Sequence, residues 1–120
     1  MHDTPIHLII GDDIVGATVW DTPTGRDLLD RLPVILTFAD FGGQEKVARL
    51  DGGLTMEGMP SGDDPEVGDL GYYAPNGVVV LYTGEVGFWN GIARIGRMEG
   101  DLSVITEHHD DFTVTIERAG

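Results

Sequence analysis

Apolar positions in this chain alternate with polar ones or gather in short runs, and helical spacing occurs in one convincing place. Ile6 to Ile10 and Ile14 to Trp20 read as two strands around the turn Gly11-Asp12-Asp13, with Val15, Ala17 and Val19 sharing one face of the second. Asp21-Thr22-Pro23-Thr24 then opens a helix over about residues 23–32. Thr22 before Pro23 fits an N-cap with proline in the first turn, and Thr24 with Asp27 offers a second register as a capping box. Leu28, Leu29 and Leu32 form its apolar stripe, and Pro33 ends it. A helix this short reads as a cover for a sheet.

Strands resume with Val34 to Phe38 and Lys46 to Leu50 around the turn from Asp40 to Glu45. Residues 51–67 carry glycine and proline without periodicity. So long a loop within a compact domain is usually functional or mobile. The span Gly68 to Thr83 holds all three tyrosines and folds back at Asn76-Gly77, a pair that signals a hairpin whose two turn residues take positive φ. Its second half, Val78 to Leu81, is too continuously apolar for a strand with one wet face. Gly84 to Gly91 is a glycine-rich connection bearing Phe88 and Trp89, and Ile92 to Met98 is a strand. Leu102 to Glu107 fits a short helix or a strand. Asp111 to Glu117 alternates, with Phe112, Val114 and Ile116 inward. About eight strands and one firm helix make an all-β domain, which must hide its sheet edges. The expected architecture is one closed barrel, with the first and last strands paired.

Composition narrows the function classes. The 120 residues suit a single domain, and no cysteine is present, so thiol chemistry and disulfides are excluded. Twenty-one acidic residues against 7 basic ones give a net charge of −14, a surface that repels nucleic acid and anionic membrane. No apolar run approaches a membrane span, and the segment Met1 to Pro5 lacks the basic-then-apolar order of a leader, so a cytoplasmic protein is expected.

Four segments match a known pattern in order: Asp21-Thr22-Pro23-Thr24 with Asp27-Leu28-Leu29 and Leu32-Pro33; Phe38 to Lys46; Gly68-Asp69-Leu70-Gly71-Tyr72-Tyr73-Ala74-Pro75; and Gly91 to Arg97. Through them the chain resembles, over roughly residues 6 to 118, the small bacterial cyclophilin-like proteins. The resemblance implies a closed eight-stranded cyclophilin-like β-barrel with one short capping helix and no assigned activity. The arginine–phenylalanine motif that serves catalysis in true cyclophilins is not found.

The candidate chemistry is that of binding. Arg94 and Arg97 lie in a strand otherwise made of Ile92, Ala93, Ile95 and Met98. Three residues apart, they are expected on opposite faces, one of them free to bind a carboxylate or peptide carbonyl. Pairing with an acid such as Glu45 or Asp69 is the plainer alternative. Phe41, Tyr73, Phe88 and Trp89 are candidates to line an aromatic cleft, with Glu45 beside them. His108-His109-Asp110-Asp111 lacks metal-ligand spacing and reads as a turn, and Asp63-Asp64-Pro65-Glu66 with Asp69 reads as a solvated loop. Ser61 and Ser103 sit in no nucleophile elbow. The expectation is a binding module for a short peptide or small molecule, as monomer or homodimer, without metal or cofactor. The alternative is a peptidyl-prolyl isomerase.

Overall fold

The computed structural model describes residues 3–119, so Met1 and His2, which open the segment read above for a leader, and Gly120 lie outside the described residues. Eight antiparallel strands close into a barrel: β1 (Thr4–Ile10), β2 (Asp13–Val19), β3 (Val34–Phe41), β4 (Glu45–Arg49), β6 (Asp69–Tyr73), β7 (Val78–Tyr82), β9 (Ile92–Met98) and β10 (Phe112–Arg118). Two further strands, β5 (Gly62–Asp63) and β8 (Trp89–Asn90), pair only with each other. Around the barrel the order is β1-β10-β3-β4-β7-β6-β9-β2, and the expected pairing of first and last strands holds, with Leu8 opposite Ile116.

Strand alternation fills the interior. Leu8, Val19, Phe38, Leu70, Leu81, Ile95, Val114 and Ile116 are all sequestered from solvent in one core. The helix α1 (Pro23–Leu29) covers one end. Thr22 caps it as expected, its Oγ1 accepting from the Gly25 amide at 3.0 Å. It stops at Leu29 instead of residue 32, and Asp30 to Leu32 leave it as turns. The second register is not used, because the Thr24 hydroxyl donates to the Thr55 carbonyl and Asp27 accepts from the Thr55 amide. The undecided stretch 102–107 forms a second short helix, α2 (Ser103–Thr106), and its Ile105 is fully buried in the core at the other end.

Two expectations change. The hairpin turn runs Ala74-Pro75-Asn76-Gly77, closed by the Gly77 amide on the Ala74 carbonyl, and only Gly77 has positive φ. Pro75 explains this: its fixed φ suits the second position of a type I turn, which then wants glycine at the fourth. The 51–67 segment is fastened to α1 by the two Thr55 hydrogen bonds, and to the barrel by buried Leu54 and by the Leu54 amide donating to the Tyr72 hydroxyl at 3.0 Å. Replacing Tyr72 by phenylalanine leaves that amide unpaired and is expected to cost about 1 kcal/mol in urea unfolding. Amide exchange at Leu54 should rise with it.

Lys46 is the unexpected core residue. Predicted as one position of a return strand, it points inward with Ala48 and is only 3% exposed. Its ammonium donates to Asp40 at 3.0 Å and to the His108 carbonyl, while the His108 ring stacks on Phe112. The turn after α2 therefore seals this mouth of the barrel, which accounts for a buried lysine through paired donors.

Candidate functional site

Side chains that point away from the barrel axis on β4, β7, β6 and β9 make a second, smaller cluster. Val80, Tyr82 and Ile92 are buried there, with Val47, Tyr73, Val78 and Val86 packed around them. A barrel wall buried on its outside needs a cover. The segments 60–66 and 83–91 provide it, joined by the two residue pairs of the β5–β8 ladder.

A row of polar side chains crosses this outer wall. Glu45 on β4 stands opposite Tyr82 on β7, and Asp69 on β6 stands opposite Arg97 on β9. Simple alternation would send Arg94 and Arg97 to opposite faces, and this expectation is corrected by a bulge. Leu70 pairs with Gly96 and Gly71 with Arg94, which leaves Ile95 as an extra residue in β9. The extra residue restores Arg97 to the outer face, so both guanidinium groups reach the same carboxylate. Arg94 Nε donates to Asp69 Oδ2 at 2.7 Å, and Arg97 Nη1 donates to Oδ1 at 3.0 Å. The Glu66 amide adds a third donor at 2.8 Å. Asp69 is thus not part of a solvated loop: it is fully buried, and its charge is met from three sides.

The fork has aromatic and acidic neighbours. The Arg94 guanidinium lies 5.4 Å from the centre of the Trp20 ring, at cation–π distance. Glu66 stands 3.8 Å from Arg94 and 3.9 Å from Arg97 as a weaker, exposed partner. Three titrations on the row are displaced. Desolvation lowers the Arg94 pKa, but the hydrogen bond and charge of Asp69, with Asp63 and Glu66 behind it, outweigh that and raise it. Burial pushes the Tyr82 hydroxyl well above the usual phenol range, helped by the charges of Glu45, Asp69 and Tyr73. Burial alone raises Glu45. Displaced titrations gathered on one wall mark it as a candidate site.

Two grooves flank the row. One, of about 550 Å³, runs between Thr18, Trp20 and Arg97 on one side and Val67, Gly68 and Leu102 on the other. The second, of about 650 Å³, lies between Asp64 to Val67 and the strap residues Glu85 and Gly87. Val67 lines both. Arg97 keeps 47% of its side chain exposed at the first groove, and Arg94 keeps 26%.

The residues singled out from sequence fall as follows. Glu45, Tyr73, Arg94 and Arg97 share the outer wall, and Phe41 stands in register beside Glu45 at its edge. Phe41, Phe88 and Trp89 are more than half exposed, and Tyr73 packs on the buried outer cluster. Phe88 and Trp89 belong to the strap, where the Trp89 indole donates to the Val86 carbonyl at 2.9 Å. The stacked rings among the described residues are Phe38, Phe112 and His108, on the core side. Tyr82 and Trp20 were missed as site residues. The signal for Trp20 was its place at the end of an outward-facing strand position, whereas Tyr82 looked like one more member of an apolar run.

The comparisons with known proteins come down on fold and family. A comparison with curated proteins finds no match. The fold resembles that of a hypothetical protein from Archaeoglobus fulgidus determined in solution, with a TM-score of 0.72 and 21% identity over 98% of this chain and 95% of that one. The model of the Cyclophilin-like family matches residues 8–117, which takes in all of the barrel but the outer ends of β1 and β10, with the Asp69 fork and both grooves. The chain belongs to the cyclophilin-like family.

Proposed function

We propose that the protein is a binding module that takes a short peptide or small ligand along the outer wall, with Arg97 as its polar anchor and Trp20 as its aromatic side. The observation that carries this is the Arg94–Asp69–Arg97 fork. Asp69 spends one donor of Arg97 and fixes the plane of its guanidinium, while the remaining edge stays open at the groove beside Trp20. A pre-oriented fork of donors loses less freedom on binding a carboxylate or carbonyl than a loose side chain does. Phe88 and Trp89, exposed on the strap and next in sequence to Gly87 of the second groove, supply apolar contact for a longer ligand.

The test is a panel of short peptides and carboxylate metabolites followed by tryptophan fluorescence and backbone amide shifts. A ligand should move Thr18, Trp20, Val67 and Gly68 together. Arg97→Ala should weaken it about tenfold, and Arg97→Lys should recover only part, because lysine lacks the planar fork. Asp69 keeps Arg94 and the Glu66 amide in either variant, so the fold should survive. No response at these residues across the panel would rule the proposal out.

A further inference from the structure

Tyr82 is the bulkiest of the wholly buried side chains, and its hydroxyl has no hydrogen-bond partner among the described residues. A buried polar atom left unpaired lowers stability, and a phenylalanine would avoid that loss at almost the same volume. The ring is seated deliberately close to the chain: it lies against Gly71, where a β-carbon would come within 2.6 Å of its Cε2. Beside it are Val80 and Ile92, and Glu45 is its neighbour across the β4–β7 ladder. The cover is slight. Val86 packs on the cluster from a strap without regular structure, set between Gly84 and Gly87, and a ladder of two residue pairs holds that strap down.

We infer that Val86 stoppers a closed ligand pocket, and that the pocket takes an uncharged amide bearing an apolar side chain. When the strap lifts, the ligand's carbonyl accepts from the Tyr82 hydroxyl, its N–H donates to Glu45, and its side chain replaces Val86 on Val80 and Ile92. The chemistry selects the class. A carboxylate is repelled by Glu45, and an ammonium has no lone pair to accept the hydroxyl proton. This rests on the outer wall being the ligand face, and it adds a position that does not depend on Arg97.

The experiment is an NMR titration with N-acetyl-leucinamide and, for comparison, the anionic N-acetyl-leucine. The amide should shift the backbone signals of Tyr82, Gly84 and Val86, and the anion should bind about tenfold more weakly or not at all. Tyr82→Phe should melt above the wild type while binding the amide about tenfold more weakly, and Val86→Ala should bind it more tightly. Tyr82→Phe melting below the wild type, or binding the amide equally well, would overturn the pocket. Shifts confined to Thr18, Trp20 and Val67 would overturn it too and leave the Arg97 groove standing. Shifts at Tyr82 and Val86 that persist in Arg97→Ala would support the pocket on its own.

Discussion

Gly96→Ala is expected to destabilise the protein by about 3 kcal/mol or more, enough to lower the melting temperature by roughly 10 °C. A β-carbon there would overlap the Thr18 carbonyl oxygen and sit 3.1 Å from Val19 Cα, both backbone atoms of the neighbouring strand that no rotamer change can move. Gly96 follows the extra residue of the bulge, at the seam where β9 joins β2. The strands approach closely there because the bulge tightens the local twist. Gly16→Ala, on the same pair of strands, is the control. Its β-carbon would meet only Glu99 Oε1 at 3.5 Å, an ordinary contact, so its stability should stay within about 0.5 kcal/mol of wild type. Thermal and urea unfolding of the two variants decide the matter. Equal stability would mean that the seam is not tightly packed.

Gly96 also shows why the barrel was legible in the sequence and the site was not. Alternation in Phe112-Thr113-Val114-Thr115-Ile116 depends on one strand and one wet face, and it predicted the inward residues correctly. The end-capping role of α1 followed from Thr22, Pro23 and the leucines, all local signals. The fork did not follow, because a bulge is a relation between two strands. Nothing within Ile92 to Met98 says that β6 will skip Ile95, yet that one skipped residue turns Arg94 and Arg97 to the same face.

Burial outside the barrel was invisible for a related reason. Val78 to Leu81 announced a strand covered on both faces, which is correct, but the cover comes from residues 60–66 and 83–91, irregular stretches without periodicity. Lys46 escaped because a lysine near a turn reads as wet, and its partners are a carboxylate six residues back and a carbonyl in the chain's last quarter. Asp69 was legible in part: it stood beside Glu45 as the plainer partner for the two arginines, which is where both bind. Its burial was not legible, because as one of several acids before the hairpin it also read as solvated, and its partners lie 25 and 28 residues downstream.

Asp69→Asn should cost about 3 kcal/mol in urea unfolding and should weaken ligand binding at Arg97 as well. The carboxylate accepts from Arg94 Nε, Arg97 Nη1 and the Glu66 amide. An asparagine has one acceptor oxygen, so in either orientation its NH₂ faces one arginine N–H donor to donor. Two guanidinium groups then share a wall with Glu66, an exposed partner at 3.8 and 3.9 Å, as their nearest remaining counter-charge. The arginines are partly exposed, so water takes up part of the loss, which keeps the expected figure at the low end for a broken buried ion pair. A double-mutant cycle with Arg97→Ala separates the contributions. If the fork is one unit, Asp69→Asn should cost about 1 kcal/mol less in the Arg97→Ala background, since one of the stranded donors has already gone. Additive costs would mean that Arg94 alone satisfies Asp69. Arg97 would then be left with the exposed Glu66 alone, and its fixed orientation, on which the anchor depends, would be lost.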